Sequence, residues 1–392
     1  MVMAGFNAVN GVPVGASRSL LKDVLRGDLG FTGVVVSDWE AISQLMRHRL
    51  SDDPVEITAM ALNAGVDFDM SSLFYQDHMP AALARGTVKL ADVDTAVRRV
   101  LKMKFAAGLD SGSRFDPVRR DRAMAALMPE ARKLAVEVAR RGDVLLENRG
   151  DLLPLAGHER IAVVGGLAGA PEAAVSFGPA RAQLDEVVTL RRAIEERAAK
   201  DGIATEWIEA CPQSCDGAKP SDPRIAQAAA RAATADVVVV AIGEHREYIG
   251  EAMSRADLRP SPGQTALVKA LAATGKPVVV LILGGRAQIV EEFREAVGAI
   301  LMVWHPGSTG SIAAAEILFG DVTPSGRLPF TWPLATGQSP LSYDMPPTAR
   351  PADAVDHWTN RYIDLPPTPR YPFGYGLTTT KVVYGAPTLD RR

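Results

Sequence analysis

The sequence is poor in cysteine, has no long apolar run and has no excess of either charge. Only two of its 392 residues are cysteines, Cys211 and Cys215, and they predict a loop pair, bridged or free, without a metal. No apolar run approaches the roughly 18 residues of a membrane-spanning helix, so we expect no membrane partner. A formal net charge of −3, with both signs interspersed, gives no electrostatic reason to expect nucleic acid binding.

Several catalytic motifs are missing as well. The sequence contains no H-E-x-x-H, no G-x-S-x-G and no G-x-x-x-x-G-K-S/T, which argues against zinc hydrolases, serine hydrolases and P-loop proteins. One glycine-rich stretch, Gly165–Gly169, follows an apolar strand, but it lacks the G-x-G-x-x-G spacing of dinucleotide sites. We therefore expect neither a cofactor nor a metal. The start, Met1–Asn7, lacks the basic and apolar regions of a signal peptide, so the sequence indicates no compartment.

The remaining composition, 47% hydrophobic and 23% charged, is that of a folded protein, and the length suffices for two domains. Residues 1–110 repeat one pattern three times, a short apolar strand, a polar tip and a helix. The strands are predicted at Val2–Phe6, Gly33–Val36 and Ala64–Ser72, and the helices at Ser19–Arg26, Ala41–His48, Val55–Asn63, Met79–Arg85 and Leu90–Phe105. Such βαβ units form a parallel sheet.

A second region follows a helix predicted at Met124–Leu146 and a turn-rich linker at Gly150–Leu155. Its apolar strands are predicted at Arg160–Val164, Glu206–Glu209, Asp236–Ile242, Pro277–Leu283 and Ala299–Trp304. Its helices are predicted at Thr189–Lys200, Arg224–Ala233, Gln264–Thr274, Gln288–Val297 and Ser311–Phe319. This alternation predicts a doubly wound open sheet with helices on both faces.

The strand Gly33–Val36 ends in Ser37, Asp38 and Trp39. Its continuous valines indicate a strand covered on both faces, and α/β folds place their sites at the carboxyl ends of such strands. The carboxylate of Asp38 has two interpretations. It either caps the following helix or takes part in catalysis, since desolvating a charge costs free energy and needs a reason.

A second group of carboxylates follows the strand Asp236–Ile242. The segment Gly243–Arg255 carries Glu244, Glu247 and Glu251, together with a histidine and two arginines. It is either a solvated charged loop or a loop that reaches another surface. One carboxylate on a strand tip and another on a loop are a plausible nucleophile and acid for cleaving glycosidic bonds.

These motifs resemble glycoside hydrolase family 3, the β-glucosidase family. The resemblance is carried by Phe6–Gly11, Leu20–Arg26, Gly30–Trp39 and Ala64–Met70 in the first half, and by Pro324–Pro329 and Tyr371–Leu377 in the second. It implies an α/β fold, the C-terminal part of a (β/α)8 barrel with about three βα units, followed by a doubly wound α/β sandwich domain. The implied domains are a partial barrel over 1–122, a helical linker over 123–155, the sandwich over 156–380, and the start of a fibronectin-like domain over 381–392, whose first strand is expected at Thr378–Thr388.

The resemblance also implies a retaining glycosidase that releases β-linked glucose, or a related sugar, from the non-reducing ends of β-glucosides or oligosaccharides. Asp38 would be the nucleophile. Glu251 would be the acid and base, with Glu244 and Glu247 as alternatives for that role. The acid must be protonated at rest, which calls for a pKa raised by partial burial and by the charge of Asp38.

The same resemblance implies three candidate residues for substrate binding. Trp39 would stack on the sugar ring, unless it only packs against protein, and Glu244 and Arg255 lie in the loop that carries the acid. The family's other sugar-binding positions belong to about five βα units that a complete barrel would place before Val2–Phe6. Because positioning supplies up to ~7–11 kcal/mol of catalysis, we expect little or no turnover from the chain as written.

Two other functions remain open from the sequence. The chain could be a catalytically inactive, carbohydrate-binding remnant in which only the open sheet folds, which predicts a protease-resistant core that starts near residue 150. It could instead be a nucleotide-binding sheet protein, which predicts thermal stabilisation by NAD or ATP. Full-length members of the family are often periplasmic or secreted.

Overall fold

The computed structural model describes residues 1–110, 116–178, 182–346, 349–353, 355–381, 383 and 385–389. These residues form two compact units, a first unit over Met1–Ala123 and a second unit over Met124–Arg392. Both units combine helices with strands, as expected of an α/β protein. Among the helices of the described ranges, none has the length and apolar character needed to cross a bilayer.

The first unit contains a small parallel sheet and a series of helices. Its strands are β1 (Val2–Ala4), β2 (Ala8–Val9), β3 (Val12–Pro13) and β4 (Val35–Ser37), and its helices are a π-type helix (Ser19–Asp28), α1 (Ala41–Arg47), α2 (Pro54–Ala64), α3 (Phe74–Ala84) and α4 (Leu90–Ala106), with a 3₁₀ turn at Val14–Ala16. Strands β1 and β4 pair in parallel, with Val2 opposite Val35, whereas β2 and β3 form a hairpin. A parallel pair joined through a helix is the arrangement that the repeated pattern predicts.

The third strand predicted for this unit, Ala64–Ser72, is largely absent. Within it only Phe68 pairs with β4, through a parallel bridge to Val36. The side chain of Asp67 explains the difference, because its Oδ2 accepts the N–H of Val35 at 2.9 Å. A side chain thus takes a donor that a regular ladder would give to a backbone carbonyl.

Helix α2 shows how the local sequence sets the limits of an element. Asp53 precedes it and accepts the N–H of Val55 at 2.8 Å, which satisfies one of the donors left free at a helix start. Pro54 occupies the first helical position, where a missing N–H does no harm, and Gly65 follows the last residue. The buried face contributes Ile57 to the core of the first unit.

The second unit contains a larger sheet. Helix α5 (Pro117–Gly142) includes the boundary between the units, and the strands that follow are β5 (Val144–Asn148), β6 (Arg160–Val164), β7 (Ala204–Ile208), β8 (Val237–Gly243), β9 (Val278–Leu283) and β10 (Ala299–Trp304). The further helices are α6 (Gly166–Gly169), α7 (Pro171–Val175), α8 (Leu190–Lys200), α9 (Pro212–Cys215), α10 (Pro223–Ala232), α11 (Pro262–Ala272) and α12 (Ser311–Phe319), with 3₁₀ turns at Arg149–Asp151, Leu184–Glu186, Arg246–Tyr248, Arg294–Ala296 and Thr336–Gln338. The strand order is β5-β10-β9-β8-β6-β7.

Helices cover both faces of this sheet. Strands β6 to β10 run parallel to one another, and alternate residues of β8 point to opposite faces. Val238 and Val240 join a core with α10 and α11, whereas Val237 and Val239 join a second core with α8 and α12. The prediction of a doubly wound sheet is confirmed.

The helix predicted at Met124–Leu146 ends at Gly142, and its last residues form β5 instead. Strand β5 pairs antiparallel with β10, with Ala299 opposite Asn148. The apolar residues Val144 and Leu145 are fully buried there, since an edge position in the sheet covers them better than another helical turn would. The segment 123–155 is therefore not helical throughout.

The helix predicted at Gln288–Val297 is absent except for the short 3₁₀ turn near its end. The carbonyl of Gln288 accepts a hydrogen bond from Trp332 Nε1 at 2.8 Å. The N–H of Ile289 donates to the carbonyl of Leu258 at 3.0 Å. Because tertiary partners use these backbone groups, a helical ladder does not start at this point.

The segment 381–392 is described only in part, since residues 382, 384 and 390–392 lie outside the described set. The described residues of the strand predicted at Thr378–Thr388 form no strand. The chain before them reaches Leu377, whose N–H donates to the carbonyl of Leu145 in β5 at 2.8 Å. That single antiparallel bridge covers part of the free edge of β5.

Candidate active site

Asp38 lies at the carboxyl end of β4, where the tips of the first unit's strands are tied together. Its N–H donates to the carbonyl of Ala4, at the end of β1, at 3.2 Å. The preceding residue, Ser37, is buried, and its N–H donates to the carbonyl of Phe68 at 2.9 Å. Ser37 Oγ accepts the N–H of Met70 at 2.8 Å. The backbone that carries Asp38 is thus fixed on both sides of the strand.

The side chain of Asp38 does not cap the helix that follows. Helix α1 starts at Ala41, and its cap residue, Glu40, has a left-handed backbone without a side-chain capping bond. Asp38 Oδ1 accepts the N–H of its neighbour Trp39 instead, at 2.7 Å. The strand tip therefore presents a half-buried carboxylate that the helix does not use.

Trp39 is 60% exposed. An indole this exposed contributes little to the hydrophobic core of the described residues. Trp39 follows directly after Asp38 in the sequence, and indole rings carry a large apolar face. The exposure fits the stacking role that the sequence predicts.

A buried ion cluster supports the strand that carries Asp38. Asp67 Oδ2 accepts a hydrogen bond from Arg26 Nη2 at 2.6 Å, and its Oδ1 accepts one from Arg99 Nη1 at 2.8 Å. The Oδ2 atom also accepts the N–H of Val35 in β4. Burial lowers the pKa of Arg26, and the charge of Asp67 opposes that effect. A carboxylate with three donors is stabilised in the interior, and here it holds β4 in register.

In the second unit, Glu244 directly follows β8 and is only 2% exposed. Its Oε1 accepts a hydrogen bond from Arg286 and lies 3.6 Å from Arg255 Nη1. Both guanidinium groups stabilise a negative charge at that position. The contacts are those of a structural ion pair and not those of a group that donates a proton to a ligand.

Gly243, the residue before Glu244, lets the carboxyl end of β8 approach the carboxyl end of β9 closely. Its φ is +142°, and a Cβ atom built there would lie 1.9 Å from the carbonyl oxygen of Leu283. A side chain at this position would displace the strand tip and Glu244 with it. In the sequence, a glycine after a buried strand indicates the start of a loop. Here that glycine is required because the backbone of Leu283 leaves no room for a side chain.

Two further charged or titratable residues lie at the carboxyl ends of neighbouring strands, and the sequence analysis did not single them out. Arg286 follows β9 and His305 follows β10, and β8, β9 and β10 are adjacent strands. Burial lowers the pKa of His305 below its ordinary value, while a hydrogen bond with Ala173 and the charge of Glu244 act in the opposite direction. The rule that singled out Asp38, a polar residue at a strand's carboxyl end, would have found both.

The two other glutamates of the loop are exposed. Glu247 Oε2 lies 3.9 Å from His245 Nδ1. Glu251 lies in the turn after Gly250, and none of the hydrogen bonds and ion pairs of the described residues involves its side chain. The partial burial that we expect of the acid is therefore not observed for Glu251. Its carboxyl group is exposed and has no bonded partner among the described residues.

Arg255 contacts Glu244 and also lines a cavity of about 190 Å³ with Asp216, Tyr248 and Met253. Sites for small organic ligands are typically ~300–1,000 Å³. The cavity is too small to be a sugar site by itself. The contact with Glu244 is therefore the better-supported role of Arg255.

Two family models match the chain. The model described as the glycosyl hydrolase family 3 N terminal domain matches residues 1–103, and the model described as the glycosyl hydrolase family 3 C-terminal domain matches residues 143–379. The chain belongs to glycosyl hydrolase family 3. The match to the C-terminal domain begins one residue before β5, which agrees with the placement of that strand in the sheet.

Similar proteins carry glycosidase names. A "Periplasmic beta-glucosidase" of Salmonella typhimurium is 36% identical over 416 residues, which cover 100% of this chain and 54% of the relative. A "Beta-xylosidase" of Formosa agariphila is 30% identical, covering 99% of this chain and 54% of the relative. The chain spans about half the length of the curated relatives it matches.

Solved family 3 structures share the fold. The β-glucosidase from Listeria innocua in complex with isofagomine has a TM-score of 0.83 and 32% identity, and the match covers 96% of this chain and 52% of that one. The β-glucosidase from Listeria innocua in complex with glucose has a TM-score of 0.84 and 33% identity. The α/β architecture predicted for a family 3 member is confirmed.

In this family 3 chain, the glycine-rich stretch after β6 is closely packed. A Cβ atom at Gly165 would lie 2.5 Å from Ser214 Oγ and 2.6 Å from the carbonyl oxygen of Ala241. Ser214 Oγ also accepts the N–H of Leu167 at 3.1 Å. A backbone donor of the kind that a phosphate would need is thus already used.

The two cysteines lie close to this stretch. Cys211 and Cys215 form a disulfide, which is one of the two states that the sequence allows, and both are buried. Within the described ranges, no group of three or more His, Cys, Asp or Glu side chains is arranged to hold a metal ion.

Proposed function

We propose that the chain carries the two catalytic carboxylates of a retaining β-glycosidase, with Asp38 as nucleophile and Glu251 as acid and base. The observation that carries the proposal is the placement of Asp38 on a fixed strand tip, free of the helix and beside an exposed indole. The names of the relatives, β-glucosidase and β-xylosidase, support β-glucosides and related oligosaccharides as substrates.

In the first step, a carboxylate oxygen of Asp38 attacks the anomeric carbon of the sugar. The bond from that carbon to the leaving oxygen breaks, and Glu251 gives its proton to the leaving oxygen. The product is an ester between Asp38 and the sugar, with Glu251 as a carboxylate. The hydrogen bonds that fix Ser37 and the Asp38 backbone hold the nucleophile in place, and such orientation supplies part of the rate.

In the second step, Glu251 takes a proton from a water molecule as the water oxygen attacks the same carbon. The bond to Asp38 breaks, the sugar leaves with its original configuration, and both carboxyl groups return to their starting state. General acid and base assistance of this kind contributes about 10²–10⁴ in rate.

Glu251 is a better candidate for the acid than the two alternatives. Glu244 is buried between Arg255 and Arg286, so its charge already has partners and its second oxygen cannot reach a ligand at the surface. Glu247 is exposed but lies beside His245. Glu251 is exposed in the turn, and its side chain forms no hydrogen bond or ion pair with the described residues.

Trp39 is proposed as the residue that stacks on the sugar bound beside Asp38. Arg255 and Glu244 are proposed to act through the loop, by holding its base, and not through direct contact with the sugar. Substitution of Trp39 is accordingly expected to raise KM more than it lowers kcat, whereas loop residues should affect kcat through Glu251.

The test is hydrolysis of 2,4-dinitrophenyl β-D-glucoside and the matching β-D-xyloside by the chain and its Asp38→Asn variant. This activated leaving group makes slow turnover measurable. We expect Asp38→Asn to lower turnover about 10³-fold or more, as loss of a nucleophile does in covalent catalysis. Asp77→Asn, at an exposed position of α3, is the matched control and should leave the rate unchanged.

The outcomes separate the parts of the proposal. Turnover that survives Asp38→Asn contradicts the nucleophile assignment. Absence of turnover of both sugars by the unmodified chain contradicts the activity for this chain. A faster rate on the xyloside would place the chain with the relatives named β-xylosidase, and a faster rate on the glucoside with those named β-glucosidase.

A further inference from the structure

Arg286 contacts both arms of the turn that carries Glu251. Its Nη1 donates to Glu244 Oε1 and, at 3.1 Å, to the carbonyl of Tyr248. Its Nη2 donates to the carbonyl of Met253. One carbonyl lies three residues before Glu251 and the other two residues after it, so a single side chain joins the two ends of the turn.

The turn has few other polar contacts that fix it. Between Tyr248 and Met253, the backbone bonds of the described residues are those from the N–H of Tyr248 to His245, at 2.9 Å, and from the N–H of Met253 to Gly250, at 3.4 Å. No helix or strand includes Glu251. Ile249 of the turn is buried and Gly250 packs closely on the ring of Phe177, so apolar contacts hold the middle of the turn, and the guanidinium group of Arg286 provides the polar link between its two arms.

The base of this contact is rigid. Arg286 follows β9, a strand whose residues are all buried, and Glu244 follows the adjacent strand β8. The guanidinium group is planar with donors in a fixed fork, so it can bond a carboxylate and two carbonyls at once with defined directions. A lysine at this position would keep the charge opposite Glu244 but could not hold both carbonyls in the same geometry.

We propose that Arg286 is a positioning residue for Glu251, which fixes the acid by clamping the turn between Tyr248 and Met253 to the edge of the sheet. This inference rests on the proposed role of Glu251 as acid and base. It assigns no contact with substrate to Arg286. It predicts that loss of the fork affects the step that needs the acid more than any other.

The kinetic test compares two glucosides whose leaving groups differ strongly in their need for acid. Departure of 2,4-dinitrophenolate needs little protonation, whereas departure of 4-methoxyphenolate needs a great deal. For Arg286→Ala we expect kcat/KM on 4-methoxyphenyl β-D-glucoside to fall about 10²-fold, within the range that a placed acid contributes, and kcat/KM on the dinitrophenyl glucoside to change far less. Arg286→Lys should recover only part of the loss.

Arg259→Ala is the matched control. The guanidinium group of Arg259 lies at the surface of the same unit and bonds the carboxylate of Asp257, and among the described residues it forms no hydrogen bond or ion pair with the turn. Its removal should leave both substrates unaffected. An equal loss on the two substrates for Arg286→Ala, or full activity of Arg286→Lys, would overturn the positioning role.

Hydrogen–deuterium exchange tests the clamp without turnover. In Arg286→Ala, amides of residues 249–254 should exchange at least several-fold faster than in the unmodified chain, while those of β9 and β10 should not change. Unchanged exchange in the turn overturns the clamp, and faster exchange throughout the second unit shows a general loss of structure, which Arg286→Lys then separates from the local effect. If the unmodified chain hydrolyses neither glucoside, the proposed function fails, and the exchange result alone decides whether the clamp exists.

Discussion

The two units hold their strand tips by different means. In the second unit, β8 and β9 are buried along their whole length between two helical layers, and apolar packing fixes the edge from which Glu244 and Arg286 extend. In the first unit, β4 is buried but its partner β1 is partly exposed. There the tip is fixed by polar contacts, namely the Asp67 cluster and the bonds of Ser37.

The same contrast appears at the surface. The first unit exposes apolar side chains on β1 and along α4, whereas such residues in β8 and β9 are covered. The exposed examples are Met3, Leu90, Val97, Leu101 and Phe105. A strand with fewer apolar neighbours depends more on each buried polar contact. Loss of a polar group should therefore affect the first unit most, and loss of apolar volume the second.

We expect the largest loss of stability from Asp67→Asn. The change leaves Arg26 and Arg99 without a buried counter-charge, and removal of one partner from a buried ion cluster typically costs about 3–5 kcal/mol. Native-state hydrogen exchange of the β4 amides should report the loss, with β8 and β9 unaffected. Asp94→Asn, at an exposed position of α4, is the control. Unchanged protection of β4 would show that the cluster is not what holds the strand.

Two matched valine-to-alanine substitutions, one in each unit, should give an intermediate loss of stability. Val280 in β9 and Val35 in β4 are both fully buried, and Val→Ala removes the same atoms from each, about 2 kcal/mol including the cavity. We expect Val280→Ala to cost more, because β9 has paired strands on both sides and a helical layer on each face. The free energy of opening from amide exchange measures both. An equal or larger loss at Val35 would remove the contrast between the units.

We expect the smallest change in stability from substitution of Asp143. This change depends on pH. The side chain of Asp143 is buried, one oxygen has no hydrogen-bond partner in the described part of the chain, and burial raises the pKa well above its ordinary value. The folded state therefore keeps a proton that the unfolded chain releases above about pH 4. Stability from this group is present below that pH and is lost as the pH rises.

Asp143→Asn has no such proton. Relative to the unmodified chain, its free energy of unfolding should rise between pH 4 and pH 8, because the unmodified chain loses stability over that range and the variant does not. Urea unfolding at pH 4, 6 and 8 measures the difference. A constant difference between the two proteins across this range would contradict the buried, protonated state of Asp143.

Much of the fold could be predicted from the sequence because continuous apolar runs admit few alternatives. The strands Arg160–Val164 and Ala299–Trp304 and the helix Ser311–Phe319 occur at the predicted limits. The failures arise where distant residues decide. A helix at Gln288 is prevented by Trp332 and Leu258, and the third strand of the first unit is interrupted by the side chain of Asp67; neither contact has a local signal.

The candidate site divides in the same way. Asp38 and the loop with Glu251 could be located because strand tips are short and polar, and the resemblance to family 3 supplied their roles. The burial of Glu244 and the contacts of Arg286 could not be predicted, because they depend on which strands become neighbours. Strand order is a property of the folded sheet that no single stretch of sequence contains.

The hydrogen bond between Leu377 and Leu145 has a consequence for how this fold can be used. Leu145 lies near the start of the region matched by the C-terminal domain model and Leu377 near its end, so entry and exit of the chain meet across one backbone contact. A fold whose ends are adjacent tolerates circular permutation and transplantation into a surface loop of a host protein. The region from Leu145 to Leu377 is therefore suited to serve as a portable module, joined to its host by two closely spaced connections.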